Sequence, residues 1–335
     1  MFRDLGDVVS ILVTGGAGYI GSHTVRLLRS VGHEVVVLDT LELGSESAVL
    51  GASLVVGDVR DRDLVIETCR RHGVTQAVHF AAYKNVGESM SQPGKYWRNN
   101  IAGTVELVEA MLAARVSDLV FSSSCSVVGT PDVVPVDEDA PIRPESVYAQ
   151  TKATMEDILG WYSRTAGLRV VDLRYFNAAG ASLDAALGEN WDHSQNLIPL
   201  VMKAALGIIP RLQVFGNDYP TQDGTCVRDY VHVEDLARAH EMALAHLARH
   251  RHEAPSALTL NVGTGVGSSV LNVIAMTEDV TGRSVPFEVV ARRVGDPAAT
   301  YADPRRIAAV LGWTAIHDLR DIISSAWQWH SKTAG

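Results

Sequence analysis

Apolar positions in the first half of the chain fall into short β-branched runs separated by longer stretches with helical spacing. Val8–Val13, Glu34–Leu38, Ser53–Val56, Ala77–Phe80, Leu119–Phe121 and Leu168–Leu173 predict strands. Ile20–Ser30, Asp63–His72, Thr104–Ala114 and Tyr148–Thr165 predict the helices between them. Strands alternating with helices imply right-handed βαβ crossovers and a doubly wound, mostly parallel α/β sheet. Ligands of such a sheet bind beyond the carboxyl ends of its strands, so functional residues are expected just after each one. From about residue 178 the pattern is less regular, and loop-like stretches (Gly180–Asn196, Gly216–Gly224) interrupt short apolar segments. Residues 1–177 are therefore expected to form the main domain and 178–335 a smaller, substrate-facing α/β lobe. Thr259–Val262 is expected to return to the main sheet.

The first strand runs into Thr14-Gly15-Gly16-Ala17-Gly18-Tyr19-Ile20-Gly21, and a helix follows. Glycines at 15, 18 and 21 permit a tight turn, close approach of backbone to a pyrophosphate, and close helix–strand packing. Free N–H groups at the helix start then face the phosphates. Alone this spacing is a weak signal, because a glycine-rich turn has the same composition. Its context is more specific: a strand precedes, a helix follows, and the next strand ends at Asp39, placed to accept hydrogen bonds from ribose hydroxyls. Together these mark a Rossmann-type dinucleotide site. Glu42 follows Asp39 and no arginine does, so a 2′-phosphate would be repelled and NAD is favoured over NADP. Asp58-Val59, after the third strand, either flanks the adenine or caps its own loop. Phe80, Ala81 and Ala82 offer mostly small side chains beside the cofactor, with Lys84 and Asn99 near the same rim.

The strand Leu119–Phe121 ends in Ser122-Ser123-Ser124, and Tyr148 and Lys152 lie downstream on one face of a predicted helix. A tyrosine with a reference pKa near 10 is a poor base at neutral pH. The Lys152 ammonium and a cationic nicotinamide favour its phenolate, and lowering the pKa by about three units takes roughly 4 kcal/mol. Ser124 offers a hydroxyl to the same substrate oxygen.

Composition bounds this reading. A chain of 335 residues suffices for one large domain or two closely joined lobes, and 47% hydrophobic with 20% charged residues is ordinary for a globular enzyme. The net charge of −10 argues against a nucleic-acid partner, and requires local arginines wherever an anionic substrate binds. Cys69, Cys125 and Cys226 form neither a disulfide framework nor a zinc pattern, so no metal site is expected and the cytoplasm is the natural compartment. Met1–Asp7 carries Arg3 but also Asp4 and Asp7, and the apolar run behind it is too short for a signal sequence. No apolar stretch approaches the ~20 residues that span a bilayer, so no membrane partner is expected.

Six stretches together resemble the extended short-chain dehydrogenase/reductase family, and within it the branch that inverts C4 of UDP-hexoses. They are Thr14–His23 (TGGAGYIGSH), Phe121–Ser124 (FSSS), Tyr148-x-x-x-Lys152, Leu173–Asn177 (LRYFN), Phe215–Val233 (FGNDYPTQDGTCVRDYVHV) and Arg292–Asp296 (RRVGD). The fifth is the most specific, because it lies on the substrate side. The resemblance implies that Tyr148 removes the sugar 4-hydroxyl proton while hydride passes to a tightly bound NAD, which is regenerated each turnover. It adds Tyr19, Ile20, Val59, Ser122, Tyr175 and Phe176 to the cofactor contacts. It places the UDP-sugar on Lys84, Ser124, Tyr148, Asn177, Asn196, Leu197, Gln213, Phe215, Arg228, Arg293, Asp296 and Thr300. Arg228 and Arg293 suit a diphosphate, and Asp296 the uridine ribose. Thr300 stands where a bulky tyrosine would exclude an N-acetyl group, which implies acceptance of N-acetylhexosamines. A homodimer through the helices near Pro93–Ala114 and Tyr148–Thr165 is implied as well. Thr40, the short loop Leu41–Ala52 and Val128 depart from the family pattern.

Two rival readings stay open. A dehydratase or decarboxylase on the same fold needs an added carboxylate beside the serine, and Ser124-Cys125-Ser126 lacks one. A non-catalytic dinucleotide sensor has no need of Ser124, Tyr148 and Lys152 together.

Overall fold

The structure, a computed structural model, describes residues 9–293 and 295–333. Met1–Asp7, Val8 of the predicted first strand and Val294 lie outside the described residues. The chain divides into two compact units that interleave in sequence. The first comprises Met1–Val127, Ile142–Arg174 and Ala237–Leu260; the second comprises Val128–Pro141, Tyr175–Leu236 and Asn261–Gly335.

Among the described residues, the first unit is built on a seven-stranded sheet. Its strands are β1 (Ser10–Thr14), β2 (Glu34–Asp39), β3 (Ser53–Val56), β4 (Val74–His79), β5 (Asp118–Ser124), β6 (Arg169–Tyr175) and β7 (Ala257–Val262). They lie side by side in the order β7-β6-β5-β4-β1-β2-β3. The pairings β1–β2, β1–β4, β2–β3 and β4–β5 are all parallel. β1 lies between two neighbours and is covered on both faces, which is why Ile11, Leu12 and Val13 are apolar without alternation. Helices Tyr19–Ser30, Arg62–Arg71, Gly103–Ala113 and Val147–Ala166 connect the strands. The last begins at Ser146, whose side chain accepts from Ala149 N–H at 3.1 Å, and ends at Gly167 with φ of +77°. Leu12, Val36, Leu107, Met111, Phe121, Met155 and Leu159 belong to the buried core of this unit.

Two local features differ from the sequence reading. β5 does not stop at Phe121 but continues, fully buried, through the three serines. Polar residues persist there because their hydroxyls have partners: Ser122 Oγ lies 2.9 Å from His240 Nε2, and Ser123 Oγ donates to Glu156. Between β4 and Gly103–Ala113, short helices at Val86–Ser91 and Pro93–Tyr96 lead into a π-helical turn over Trp97–Ala102. The polar run Gln92–Asn100 hides these turns from apolar periodicity.

The second unit packs Ile198, Val201, Met202, Val214, Tyr230, Val273 and Ile322 into its own core. Its central strand, Val227–His232, lies between Gly267–Ser269 and Ala299–Thr300 and also pairs with Asn177–Ala179. Asp229 in that strand is fully buried and accepts from Thr264 N–H (2.9 Å), Thr264 Oγ1 (2.6 Å), Gly265 N–H (3.0 Å) and Ala302 N–H (3.1 Å). This carboxylate joins three chain segments at the strand that carries Arg228. Among the described residues, no helix is long and apolar enough to cross a membrane.

Candidate active site

At the end of β1 the chain turns through Gly15, with φ of +72°, into the helix that begins at Tyr19. A Cβ on Gly15 would lie 2.6 Å from the Ala81 nitrogen, and one on Gly21 only 2.3 Å from the Gly15 oxygen. Both positions therefore exclude every other residue. Gly18 caps the helix with extended backbone, and the first turn contains no acidic side chain. The exposed N–H groups and partial positive charge of this helix end suit a pyrophosphate. Asp39, at the end of β2, accepts from Ala17 N–H through Oδ2 (3.0 Å) and from Leu41 N–H through Oδ1 (2.9 Å). Each oxygen keeps a further acceptor direction for ribose hydroxyls. The residues present thus fit a dinucleotide. Asp58 is differently placed: both of its oxygens are held by the Arg60 guanidinium, and Oδ1 also accepts Arg60 N–H at 2.8 Å. The Arg60 contacts make Asp58 a loop cap, and they leave acceptor capacity on the carboxylate for the adenine contact assigned to it; the arginine side chain holds the carboxyl below its ordinary range. Val59 beside it is buried.

After β4, Phe80 N–H donates to Thr14 O at 2.9 Å, and the Phe80 ring lies 4.6 Å from that of His240. Ala81 packs on the glycine turn, followed by Ala82, Tyr83 and Lys84. The segment is fixed by Asn100, a fully buried residue that sequence reasoning missed while choosing its neighbour Asn99. Asn100 Oδ1 accepts from Tyr83 N–H (2.9 Å) and Asn99 Nδ2 (3.1 Å). Its Nδ2 donates to Tyr83 O and to Thr151 Oγ1, both at 3.1 Å. Thr151 Oγ1 in turn donates to Tyr148 O at 2.7 Å. Ser89, also fully buried, accepts from Tyr148 N–H at 3.1 Å. One polar chain thus runs from the loop after β4 to the helix carrying Tyr148. No periodicity marks these residues; the only sequence signal is a polar pair, Asn99-Asn100, at the start of an apolar helix.

Tyr148, Lys152 and Ser124 are brought together in the first unit. Ser124 hydrogen-bonds the Tyr148 hydroxyl and accepts from Ser126 Oγ at 2.9 Å. Lys152 Nζ donates to Ser122 O at 2.7 Å and lies 4.8 Å from the Phe121 ring centroid. Burial pushes the Tyr148 phenol up to about 12, and the Ser124 bond pulls only partly against it. Burial likewise lowers Lys152 to about 7, with Glu156 acting the other way. At Tyr148 desolvation is the larger effect, and the Lys152 ammonium is engaged with a main-chain carbonyl. Glu156 is itself held by Ser123 and by Arg174, whose Nη2 donates to it at 2.7 Å.

The second unit gathers the residues assigned to UDP into small groups. Arg228 Nη2 pairs with Asp296, and Arg228 lies directly opposite Thr300 across paired strands. The Arg293 guanidinium stacks 3.8 Å from the Phe215 ring centroid. Asn177 opens the strand beside Tyr230, and Gln213 is exposed on the strand that ends at Phe215. Asn196 precedes the helix Leu197–Ala205, and its Nδ2 donates to Glu189 at 2.9 Å. Tyr175 ends β6, and Phe176 N–H donates to Val262 O at 3.2 Å. Among the described residues one histidine–carboxylate cluster has metal-like spacing: His232, Glu234 and His317. Both His232 nitrogens already hydrogen-bond, Nε2 with Ser325 Oγ and Nδ1 with Glu234 N–H, each at 3.1 Å. An ion there would have to displace those bonds.

Residues 11–263 match the NAD dependent epimerase/dehydratase family. The chain is 42% identical over 325 residues to UDP-glucose 4-epimerase of Halalkalibacterium halodurans, covering 97% of this chain and 96% of that protein. It is similar, with a TM-score of 0.94 and 42% identity, to a UDP-glucose 4-epimerase from Stenotrophomonas maltophila with bound NAD and formylated UDP-arabinopyranose; 97% of this chain and 99% of that one are covered. It is similar as well to the Brucella ovis UDP-glucose 4-epimerase in complex with NAD, with a TM-score of 0.91 and 45% identity over 96% of this chain and 98% of that one.

The buried lysine generates a stability prediction. With a pKa of about 7 when folded and about 10.4 unfolded, Lys152 binds more protons in the unfolded chain between those values. Stability therefore rises with pH across that window, by about 2 kcal/mol between about pH 7 and pH 9. Lys152→Met removes this component. Urea unfolding of parent and variant at the two pH values should show a rise in the parent that is smaller in the variant by that amount; an equal rise in both contradicts the argument.

Proposed function

The chain belongs to the NAD dependent epimerase/dehydratase family, and we propose that it interconverts UDP-glucose and UDP-galactose by inverting C4 through a transient 4-keto sugar. The observation that carries this reading is the group Ser124–Tyr148–Lys152 at the end of β5, in the same unit as the glycine turn and Asp39. Bound NAD supplies the acceptor that takes hydride from C4 and returns it within the same turnover, so no net oxidant is consumed. Gly15, Gly18 and Gly21 shape the turn for its pyrophosphate, Tyr19 and Ile20 provide helix-start N–H groups, and Asp39 takes the ribose hydroxyls. Asp58, Val59, Phe80, Ala81, Ala82, Lys84, Asn99, Ser122, Tyr175 and Phe176 complete the assigned cofactor contacts.

Tyr148 accepts the 4-hydroxyl proton as C4 is oxidised, and Ser124 holds the same oxygen through its hydroxyl. A phenol at about 12 stays protonated at neutral pH and cannot accept a proton, so its ionisation requires positive charge nearby. Lys152, buried and anchored on Ser122 O, supplies the donors that fix the site and adds its charge when protonated. On return, Tyr148 gives the proton back to the opposite face's alkoxide oxygen. Presenting that face requires a firmly held nucleotide and a loosely held hexose. Arg228 and Arg293 carry guanidinium charge for the diphosphate, Asp296 takes uridine ribose hydroxyls, and Asn177, Asn196, Leu197, Gln213 and Phe215 complete the assignment. The Arg228–Asp296 pair leaves further guanidinium donors and carboxylate lone pairs for the ligand. The three cysteines are free thiols, consistent with the cytoplasm.

Purified protein incubated with UDP-galactose, without added NAD, should form UDP-glucose. Tyr148→Phe should lower kcat by at least about a hundredfold; full activity in that variant refutes the mechanism. Conversion that depends wholly on added NAD counts against a tightly bound cofactor.

Thr300, the residue the resemblance assigns to the sugar pocket, is 6% exposed. Threonine is smaller than the tyrosine that excludes an N-acetyl group at this position, so the N-acetylated UDP-hexosamines are substrates too. Thr300→Tyr should lower kcat/KM for UDP-N-acetylgalactosamine relative to UDP-galactose by about tenfold or more. An unchanged ratio excludes Thr300 as the determinant.

The protein is a homodimer through the helices of the first unit. Trp97 (38% exposed) and Trp161 (57% exposed) lie on the elements assigned to that contact. Sedimentation at micromolar concentration should give twice the chain mass; a monomer overturns the assignment.

A further inference from the structure

Two loops that follow non-adjacent strands of the first unit are joined by a hydrogen bond. β1 lies between β4 and β2, so the loops after β2 and β4 flank the turn at the end of β1. The Tyr83 hydroxyl, beyond β4, donates to Glu42 Oε2, beyond β2, at 2.6 Å. Neighbouring strands are about 4.8 Å apart, so this bond bridges loops whose strands are separated by roughly 10 Å.

Both ends of the bridge are anchored. On the β2 side, Ser45 N–H donates to Ala17 O at 3.1 Å, and Ala17 N–H donates to Asp39 at 3.0 Å. Gly44 packs so tightly that a Cβ there would lie 2.8 Å from that of Ala17. The loop bearing Glu42 is therefore docked on the glycine turn itself. On the β4 side, Asn100 holds both the N–H and the carbonyl of Tyr83. The Lys95 ammonium lies 3.9 Å from the Tyr83 ring centroid, and the Tyr96 ring packs 5.8 Å away. Burial, reinforced by Glu42, pushes the Tyr83 phenol up to about 12, so it stays a donor at neutral pH.

We propose that the Tyr83–Glu42 bond is a clasp that retains NAD by linking the two loops on either side of the pyrophosphate-binding turn. This rests on the dinucleotide reading of Gly15–Gly21. A dinucleotide lies along the carboxyl ends of the strands with its pyrophosphate at the glycine turn, and it leaves when the flanking loops part. The clasp is formed in the structure. A bond present both before and after binding, and broken only during exchange, slows entry and release equally and leaves the equilibrium constant unchanged. A side chain that touched the cofactor directly would instead alter release alone and shift Kd.

The test is stopped-flow and exchange kinetics on the full-length protein with NAD and fluorescent etheno-NAD, for the parent, Tyr83→Phe, Glu42→Ala and the double variant. Tyr83→Phe keeps the ring that Lys95 and Tyr96 pack against, and circular dichroism checks its fold. Each single variant should speed both association and dissociation by about tenfold, as expected for a hydrogen bond to a carboxylate. The double variant should be no faster than either single. Rates within twofold of the parent, or faster release with unchanged association, overturn the clasp while leaving the dinucleotide site intact. A parent that neither carries NAD as purified nor, once stripped of nucleotide, binds it in excess overturns the dinucleotide reading, and the clasp with it.

Discussion

At the end of β1 the backbone passes its neighbours so closely that one methyl group on Gly15 would strike the Ala81 nitrogen, and one on Gly21 would strike the Gly15 carbonyl. The loops after β2 and β4 are both seated on this turn, one through Ala17 and the other through Ala81. Close approach brings helix-start N–H groups, the Asp39 carboxylate and the Tyr83–Glu42 bond around one short length of chain. The cofactor reading and the retention proposal both follow from that crowding, since a looser turn would leave the flanking loops independent of each other.

The second dependence is a buried polar chain. Asn100 has two acceptor and two donor bonds, and it ties the loop after β4 to the turn of helix that carries Tyr148. Leaving one such buried group without its partner costs about 1–3 kcal/mol, so the network either forms as a unit or destabilises its surroundings. Its consequence is positional: Tyr148, the residue proposed to move the proton, is held at its N–H by Ser89 and at its carbonyl by Thr151. The π-helical turn at Trp97–Ala102 contains Asn100, and such bulges often occur at functional sites.

Electrostatics at the reacting group oppose both residues in the ligand-free state. Burial drives Tyr148 toward its neutral phenol and Lys152 toward its neutral amine. Neither shift favours folding at neutral pH with the catalytic charges in place, which is the usual conflict between stability and activity at such sites. The site is therefore organised by hydrogen bonds to Ser124 and to the Ser122 carbonyl, and its ionisation is left to the charge of what binds. In the second unit, Arg228 and Asp296, both assigned to the nucleotide, form an ion pair.

Strong local patterns were legible in the amino-acid sequence. Apolar runs marked all six early strands within a few residues, because parallel strands buried on both faces need continuous apolar character. The glycine spacing, Asp39 and the Tyr148–Lys152 interval were legible because each is a local geometry enforced on consecutive or i, i+4 positions. The buried extension of β5 through Ser122–Ser124 was not, since serines qualify as strand interior only once His240 and Glu156, distant in sequence, reach their hydroxyls. Asn100, Thr151 and Ser89 were missed for the same reason: their roles are hydrogen bonds across 17 to 59 residues of chain. The hold of Arg60 on both oxygens of Asp58 was likewise beyond the sequence pattern. Sequence alone determined which chemistry this chain carries, because motifs are local. Tertiary structure decided which side chains satisfy one another, because a buried polar group takes its partner from whatever the fold brings within about 3 Å.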